Sequence, residues 1–223
     1  METDAATSAQ PTVLDGPVAT ASDPAGDRVP GRFCPHDYAL EHDLFAAPAK
    51  YRCNCLYVVG GLYGNIPAAK ALDELLQNEP EQNRLLVLNG DLHWFDARTA
   101  DFLAIERLSK QHVALLGNVE AELRRSEDSG AGCGCAYPYE LAAEETVERS
   151  NAIHQQLKAL MEQPGMQTLK DELDERPSVA LVEVGGRRVA ITHGDERYLA
   201  GWQCAREALR SPARQQQLAN WAD

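Results

Sequence analysis

The stretch Leu85 to Asp96, LLVLNGDLHWFD, places a carboxylate where chemistry can use it. Leu85, Leu86, Val87 and Leu88 form an unbroken apolar run, the pattern of a strand buried on both faces, and the run stops at Asn89-Gly90-Asp91. In an open α/β sheet the crevice beyond the carboxyl ends of the strands is where ligands bind, because several loops converge there on a rigid base. Gly90 permits the sharp turn that lets Asp91 face such a crevice. Asn-Gly-Asp is also ordinary turn chemistry, so the same residues can be read as a plain loop. Three further segments share the form: Gly60 to Asn65, Gly117 to Glu120 and Thr192 to Asp195 each close an apolar run with glycine and polar side chains.

The elements that must position these segments are readable in order. Cys53 to Gly60 alternates as a strand, Asn65 is a suitable N-cap, and Pro67 fits the first turn of a helix with Ile66, Ala69, Leu72, Leu75 and Leu76 at helical spacing. The Leu85 strand follows, then a helix over about Thr99 to Leu108, then a short strand from Val113 to Leu116. Strands alternating with helices argue for an α/β fold with a parallel sheet. Order weakens between Glu122 and Glu140, and a helix resumes over about Ala143 to Gln163, ended by Pro164-Gly165. The run from Val179 to Asp195 reads as a hairpin turning at Gly185-Gly186. Residues 196–223 are polar and helical in pattern, whereas 32–50 carry aromatic residues without a clean period.

Composition sets the outer bounds. A chain of 223 residues suits one domain, expected over 32–223, behind a tail over 1–31 whose Ala, Thr, Ser, Asp, Pro and Gly predict disorder. The net charge of −13 argues against nucleic acid and against anionic membrane surfaces as partners. No run approaches a membrane span and the N-terminus lacks a secretory pattern, so a cytoplasmic protein is expected, with the six cysteines as thiols.

The ordered series GGLYGN, NGD, GNVE and THGD resembles the calcineurin-like metallophosphoesterases, which carry D-x-H, G-D, G-N-H-[ED] and later His motifs at successive strand ends. The match spans about Tyr57 to Asp195. The resemblance implies a β-sandwich flanked by helices (αββα) and a pair of divalent metal ions that activate water against a small-molecule phosphate ester. It assigns Asp91 to the position between the two metals, and Asn118 and His193 to the second metal. Mixed oxygen and nitrogen donors suit Mn, Fe or Zn. Tyr63 and Asn65 become candidate substrate contacts.

The chain also departs from that pattern. Gly61 and Tyr63 stand where the family has the first Asp and His, and Val119 stands where it has the His that serves the leaving group. Restoring the pair with Gly61→Asp and Tyr63→His is expected to raise metal stoichiometry. His93 is a candidate replacement acid or ligand, the alternative being a packed or solvent-edge residue beside Trp94 and Phe95. Two other functions stay open: a catalytically degenerate binding or regulatory protein with at most one metal, and a thiol- or zinc-responsive protein using the pairs Cys53/Cys55 and Cys133/Cys135. No later His motif follows His193, and a parallel sheet with helices on one face would leave its other face wet. Either a partner or second copy covers that face or the chain is a fragment of a longer protein; the fragment reading is favoured and predicts a chain that binds a hydrophobic dye and melts without a sharp transition. Oligomeric state is not readable.

Overall fold

Residues 85–88 are unbrokenly apolar because both faces of their strand are covered. The computed structural model of the protein describes residues 28–222. Strands β2 (Cys55–Val59), β3 (Arg84–Leu88) and β4 (Val113–Ala114) form a parallel sheet in the order β2-β3-β4. Leu86 and Leu88 lie on the face that packs on helices α2 (Ile66–Gln77) and α3 (Thr99–Ser109), through Ala69, Leu76, Ile105 and Leu108. Val87 lies on the opposite face, fully buried in a cluster with Leu115, Val182 and Ile191.

Val182 and Ile191 belong to a second sheet, made of β1 (Tyr51–Cys53), β5 (Val179–Val184) and β6 (Arg187–Thr192) in the order β1-β5-β6. β1 runs parallel to β5, and β5 and β6 form the hairpin, turning through Gly185 and Gly186 with φ of 59° and 71°. Positive φ at both central residues gives the turn whose twist matches the strands. The two sheets therefore share one apolar cluster, and the face expected to stay wet is covered. The expectation of exposed apolar surface is corrected on that point. Its source is the reading of 53–60 as one strand: Asn54 breaks the run, and the chain passes there from one sheet to the other.

Helices close the remaining surfaces. α4 (Asn118–Leu123), α5 (Glu144–Met161) and α6 (Gln167–Asp174) join α3 in a separate cluster around Phe102, Leu157 and Leu173. α1 (Asp43–Ala46) lies on the second sheet, where Arg188 donates to the Phe45 carbonyl at 2.9 Å. α7 (Pro212–Ala222) is anchored by Arg214, which forms a buried two-pronged pair with Glu196 at 2.9 and 2.6 Å.

Of the tail expected over 1–31, residues 1–27 lie outside the described residues. Gly31 is tied to the 122–140 segment, donating to the Ala131 carbonyl and accepting from Tyr137, each at 2.8 Å. No helix among the described residues is long and apolar enough to cross a membrane.

Candidate functional site

Three loops meet at the carboxyl ends of β3, β4 and β6. They approach so closely at Gly90 that a Cβ there would lie 2.6 Å from backbone atoms of Gly117 and 2.8 Å from His193 Nδ1. Gly90 has φ of 73° and Asp91 follows with φ of 51°, a conformation that costs a non-glycine residue about 1 kcal/mol or more. Glu120 compensates for that cost. Its fully buried carboxylate accepts from the backbone N–H groups of Asp91 at 2.9 Å, Leu92 at 2.8 Å, His93 at 3.3 Å and Gly117 at 3.1 Å. One side chain thus satisfies backbone donors from two loops at once.

Asp91 aims its carboxylate at the start of α4, where Oδ1 accepts from Val119 N–H at 3.2 Å. Asn118, the first residue of α4, donates from its amide Nδ2 to the Cys133 carbonyl at 3.0 Å and lies 3.3 Å from Cys135 Sγ. That turns its oxygen toward His193 Nε2, 3.1 Å away. His193 Nδ1 lies 2.7 Å from the Asn89 carbonyl oxygen, which only a protonated Nδ1 can satisfy, and Nε2 lies 3.4 Å from Asp91 Oδ1. Burial alone would lower the His193 pKa, but the neighbouring Asp91 carboxylate outweighs it and brings the value to about 9.

Asp91 Oδ1, Asn118 Oδ1 and His193 Nε2 therefore face one another at 3.1 and 3.4 Å along the two edges that meet at the imidazole. Adjacent donors around a cation bound at about 2.1 Å stand roughly 3.0 Å apart in octahedral and 3.4 Å apart in tetrahedral geometry. Two edges of this donor set thus have the spacing that a shared divalent ion would require, once such an ion displaced the Nε2 proton. Each donor also has an outer partner: the Asn89 carbonyl for the imidazole, the Cys133 carbonyl for the amide, and Val119 N–H for the carboxylate, whose backbone Glu120 holds. Among the described residues no group of three or more His, Cys, Asp or Glu side chains is placed to hold a metal; this set has two such side chains, with the Asn118 amide as its third donor.

These donors open into a cleft of about 300 Å³ that Tyr63, Cys135 and Trp202 also line, and among the described residues no Lys or Arg borders it. Asp195 lies behind the lining and organises the segment that carries Ala200, Gly201 and Trp202. Its buried carboxylate accepts from Arg197, Tyr198 and Gln203 N–H at 2.8, 2.9 and 3.1 Å, and Trp202 then donates from Nε1 to the Cys135 carbonyl at 2.9 Å. The Tyr63 ring packs over Gly61, where an added Cβ would lie 2.8 Å from the ring and 2.8 Å from the Asp91 carbonyl oxygen.

Two of the residues singled out in the sequence stand elsewhere. His93 is completely buried, its Nδ1 2.6 Å from Asp96 and its Nε2 2.7 Å from Glu106, with the ring stacked 3.5 Å from Phe102. Both nitrogens are engaged away from the cleft, so the role of replacement acid or ligand is corrected to that of a packed core residue. Asn65 caps α2 by accepting from Ala68 N–H at 3.0 Å and does not line the cleft. Asp91, Asn118, His193 and Tyr63 are brought together.

The cysteine pairs do not combine. Cys55 starts β2 opposite Arg84, whereas Cys133 and Cys135 lie beside Asn118 at the other end of the sheet. All six thiols are free, and the bond with Cys133 together with burial holds the Cys135 proton well above the usual thiol range. The part played by Glu120 was missed in the sequence, although a glutamate three residues beyond a helix-capping glycine is the spacing of half a capping box.

No protein-family model matches this chain, and no curated protein matches it as a relative.

Proposed function

We propose that the cleft is a single-metal centre that hydrolyses a phosphate ester, on a metallophosphoesterase-like αββα scaffold. The observation that carries this reading is the convergence of Asp91, Asn118 and His193 at donor spacings suited to one ion, each with an outer partner. The stacked sheets with helices outside, and the order of the strand-end motifs, support the scaffold. A divalent ion held there supplies a Lewis acid and a water of lowered pKa.

The chain's own groups do the rest. With no Lys or Arg on the cleft, an anion has only the ion and hydrogen-bond donors to meet. The Tyr63 hydroxyl is one such donor, since burial and then Asp91 raise its pKa and keep it protonated. Val119 is buried and carries no proton to give a leaving group. Leaving oxygens that need no proton are therefore favoured.

Elemental analysis of protein loaded with Mn, Fe or Zn tests the reading. About one ion per chain is expected, reduced at least tenfold in affinity by Asp91→Asn or His193→Gln, with slow release of phosphate from an activated ester. No retained ion would defeat the proposal, and two ions would defeat its single-metal form. A second reading, a metal-dependent binder of phosphate esters without turnover, is favoured by the ring of Tyr63 over Gly61 and by Val119. Metal-dependent binding of a phosphonate with no hydrolysis would select it.

A further inference from the structure

An apolar groove of about 660 Å³ adjoins the cleft, and Tyr63 is a wall of both. Val59, Leu62, Leu72, Leu75 and Phe95 line it, and among the described residues no charged side chain does. Leu75 is 70% exposed and Phe95 73% exposed, a large apolar area for a chain to leave in water without use. The groove is held in fixed relation to the cleft. Tyr63 N–H donates to the Asp91 carbonyl at 3.2 Å, Gly64 N–H to the Leu92 carbonyl at 2.7 Å, and Phe95 N–H to the Tyr63 carbonyl at 3.2 Å. The loop that bears the aromatic wall is thereby pinned to the loop that bears the carboxylate.

We propose that this groove seats the aryl group of the phosphate ester, so that the site takes aryl phosphates in preference to nucleotides or sugar phosphates. The proposal rests on the reading of the cleft given above. A sugar needs several hydrogen-bond partners, and the groove's polar side chains are Tyr63 and Asn65, the latter already capping α2. A nucleotide polyphosphate needs cationic partners, and neither the groove nor the cleft has a Lys or Arg. An aryl ring meets instead the exposed face of Phe95 and the aliphatic wall of α2.

The leaving group points the same way. Water adds to phosphorus, the bond from phosphorus to the aryl oxygen breaks, and that oxygen departs with the bonding pair as a phenolate. One water proton passes to solvent and inorganic phosphate remains. A phenol has a pKa of about 10, against roughly 16 for water, so its oxygen leaves without the proton that Val119 cannot provide.

The test is calorimetric titration of the Mn-loaded full chain with methylphosphonate and with 1-naphthylmethylphosphonate, neither of which is hydrolysed. The naphthyl compound should bind at least about tenfold more tightly. Phe95→Ser with Leu75→Ser should cut that ratio below about threefold while leaving methylphosphonate affinity unchanged. Both side chains are mostly exposed, and either single variant serves if the double variant aggregates. A ratio near one, or one that survives these substitutions, overturns the aryl groove and leaves the metal site standing. Failure of methylphosphonate itself to bind in the presence of Mn overturns both.

Discussion

The Glu120 carboxylate grips the backbone of Asp91, accepting its N–H at 2.9 Å from a position with no solvent exposure. Asp91 has φ of 51°, and its carboxylate faces His193 and the start of α4 because of that conformation. Glu120 is thus the residue through which α4 dictates the shape of the β3 loop. Its bonds go to backbone N–H groups, so it acts on the other candidate ligands through position and, at His193, through its charge, which helps raise that pKa.

Replacing Glu120 with Gln should uncouple the loops. An amide puts N–H groups where one carboxylate oxygen accepted, leaving at least one buried backbone donor unsatisfied at about 1–3 kcal/mol. The expected result is a lower urea midpoint with an unchanged slope, and metal affinity weakened about tenfold or more. Wild-type metal affinity in Glu120→Gln would show that Asp91 keeps its conformation unaided.

Two glycines should respond very differently to alanine. At Gly90 the added carbon meets the Gly117 backbone at 2.6 Å in a left-handed conformation, so Gly90→Ala should cost about 3 kcal/mol or more. At Gly60 the same carbon has nothing within 4 Å, and the cost should stay below about 0.5 kcal/mol. Equal midpoints in chemical denaturation would contradict the close approach of the three loops.

Much of the crevice was legible because Asp91, Asn118 and His193 each end an apolar run beside a glycine, and periodicity locates such ends. The α2 cap at Asn65 and the hairpin at Gly185-Gly186 were legible for similar local reasons. The second layer was not. Pairing of Tyr51–Cys53 with Val182–Val184 spans over a hundred residues, and the single polar residue Asn54 gives no local sign that the chain changes sheets. α6 escaped because Leu169 and Leu173 are its only apolar residues, too few to show a helical period. For His93 the packed alternative was legible but its partners were not, because Asp96 and Glu106 are contributed by different elements.

The His93 network makes a pH prediction for the metal-free chain. Burial opposes the His93 charge, but the bonds to Asp96 and Glu106 prevail and raise its pKa from 6.5 to about 9. Its stabilising contribution is therefore complete below about pH 6.5 and is lost as pH rises through 9. For Glu106 burial opposes ionisation, and the bonds to His93 and Arg176 hold the carboxyl down at about 2 from 4.5. Its contribution is present above about pH 4.5 and is lost as pH falls through 2. Stability should be greatest between about pH 4.5 and 6.5 as far as this network decides it. Denaturation midpoints of wild type and His93→Gln, measured from pH 6 to 10, should converge at the alkaline end. Curves that stay parallel would mean that His93 is neutral in the folded chain.

The sequence suggests that Gly61→Asp with Tyr63→His would restore a second metal, but the structure predicts otherwise. An Asp Cβ at position 61 would lie 2.8 Å from the Asp91 carbonyl oxygen, which already accepts Tyr63 N–H and belongs to the loop that Glu120 holds rigid. Removing the tyrosine relieves the overlap with the ring and leaves the overlap with the backbone. The double variant should therefore hold about one ion per chain and lose about 1–3 kcal/mol of stability. Gly61→Asp alone should lose more, because it meets ring atoms at 2.8 and 3.0 Å as well, so the two substitutions should couple favourably. Elemental analysis and thermal melts of wild type, both single variants and the double variant decide the matter. Two ions in a double variant that melts with the wild type would mean that the Asp91 loop yields, and that the crevice is less rigid than its hydrogen bonds imply.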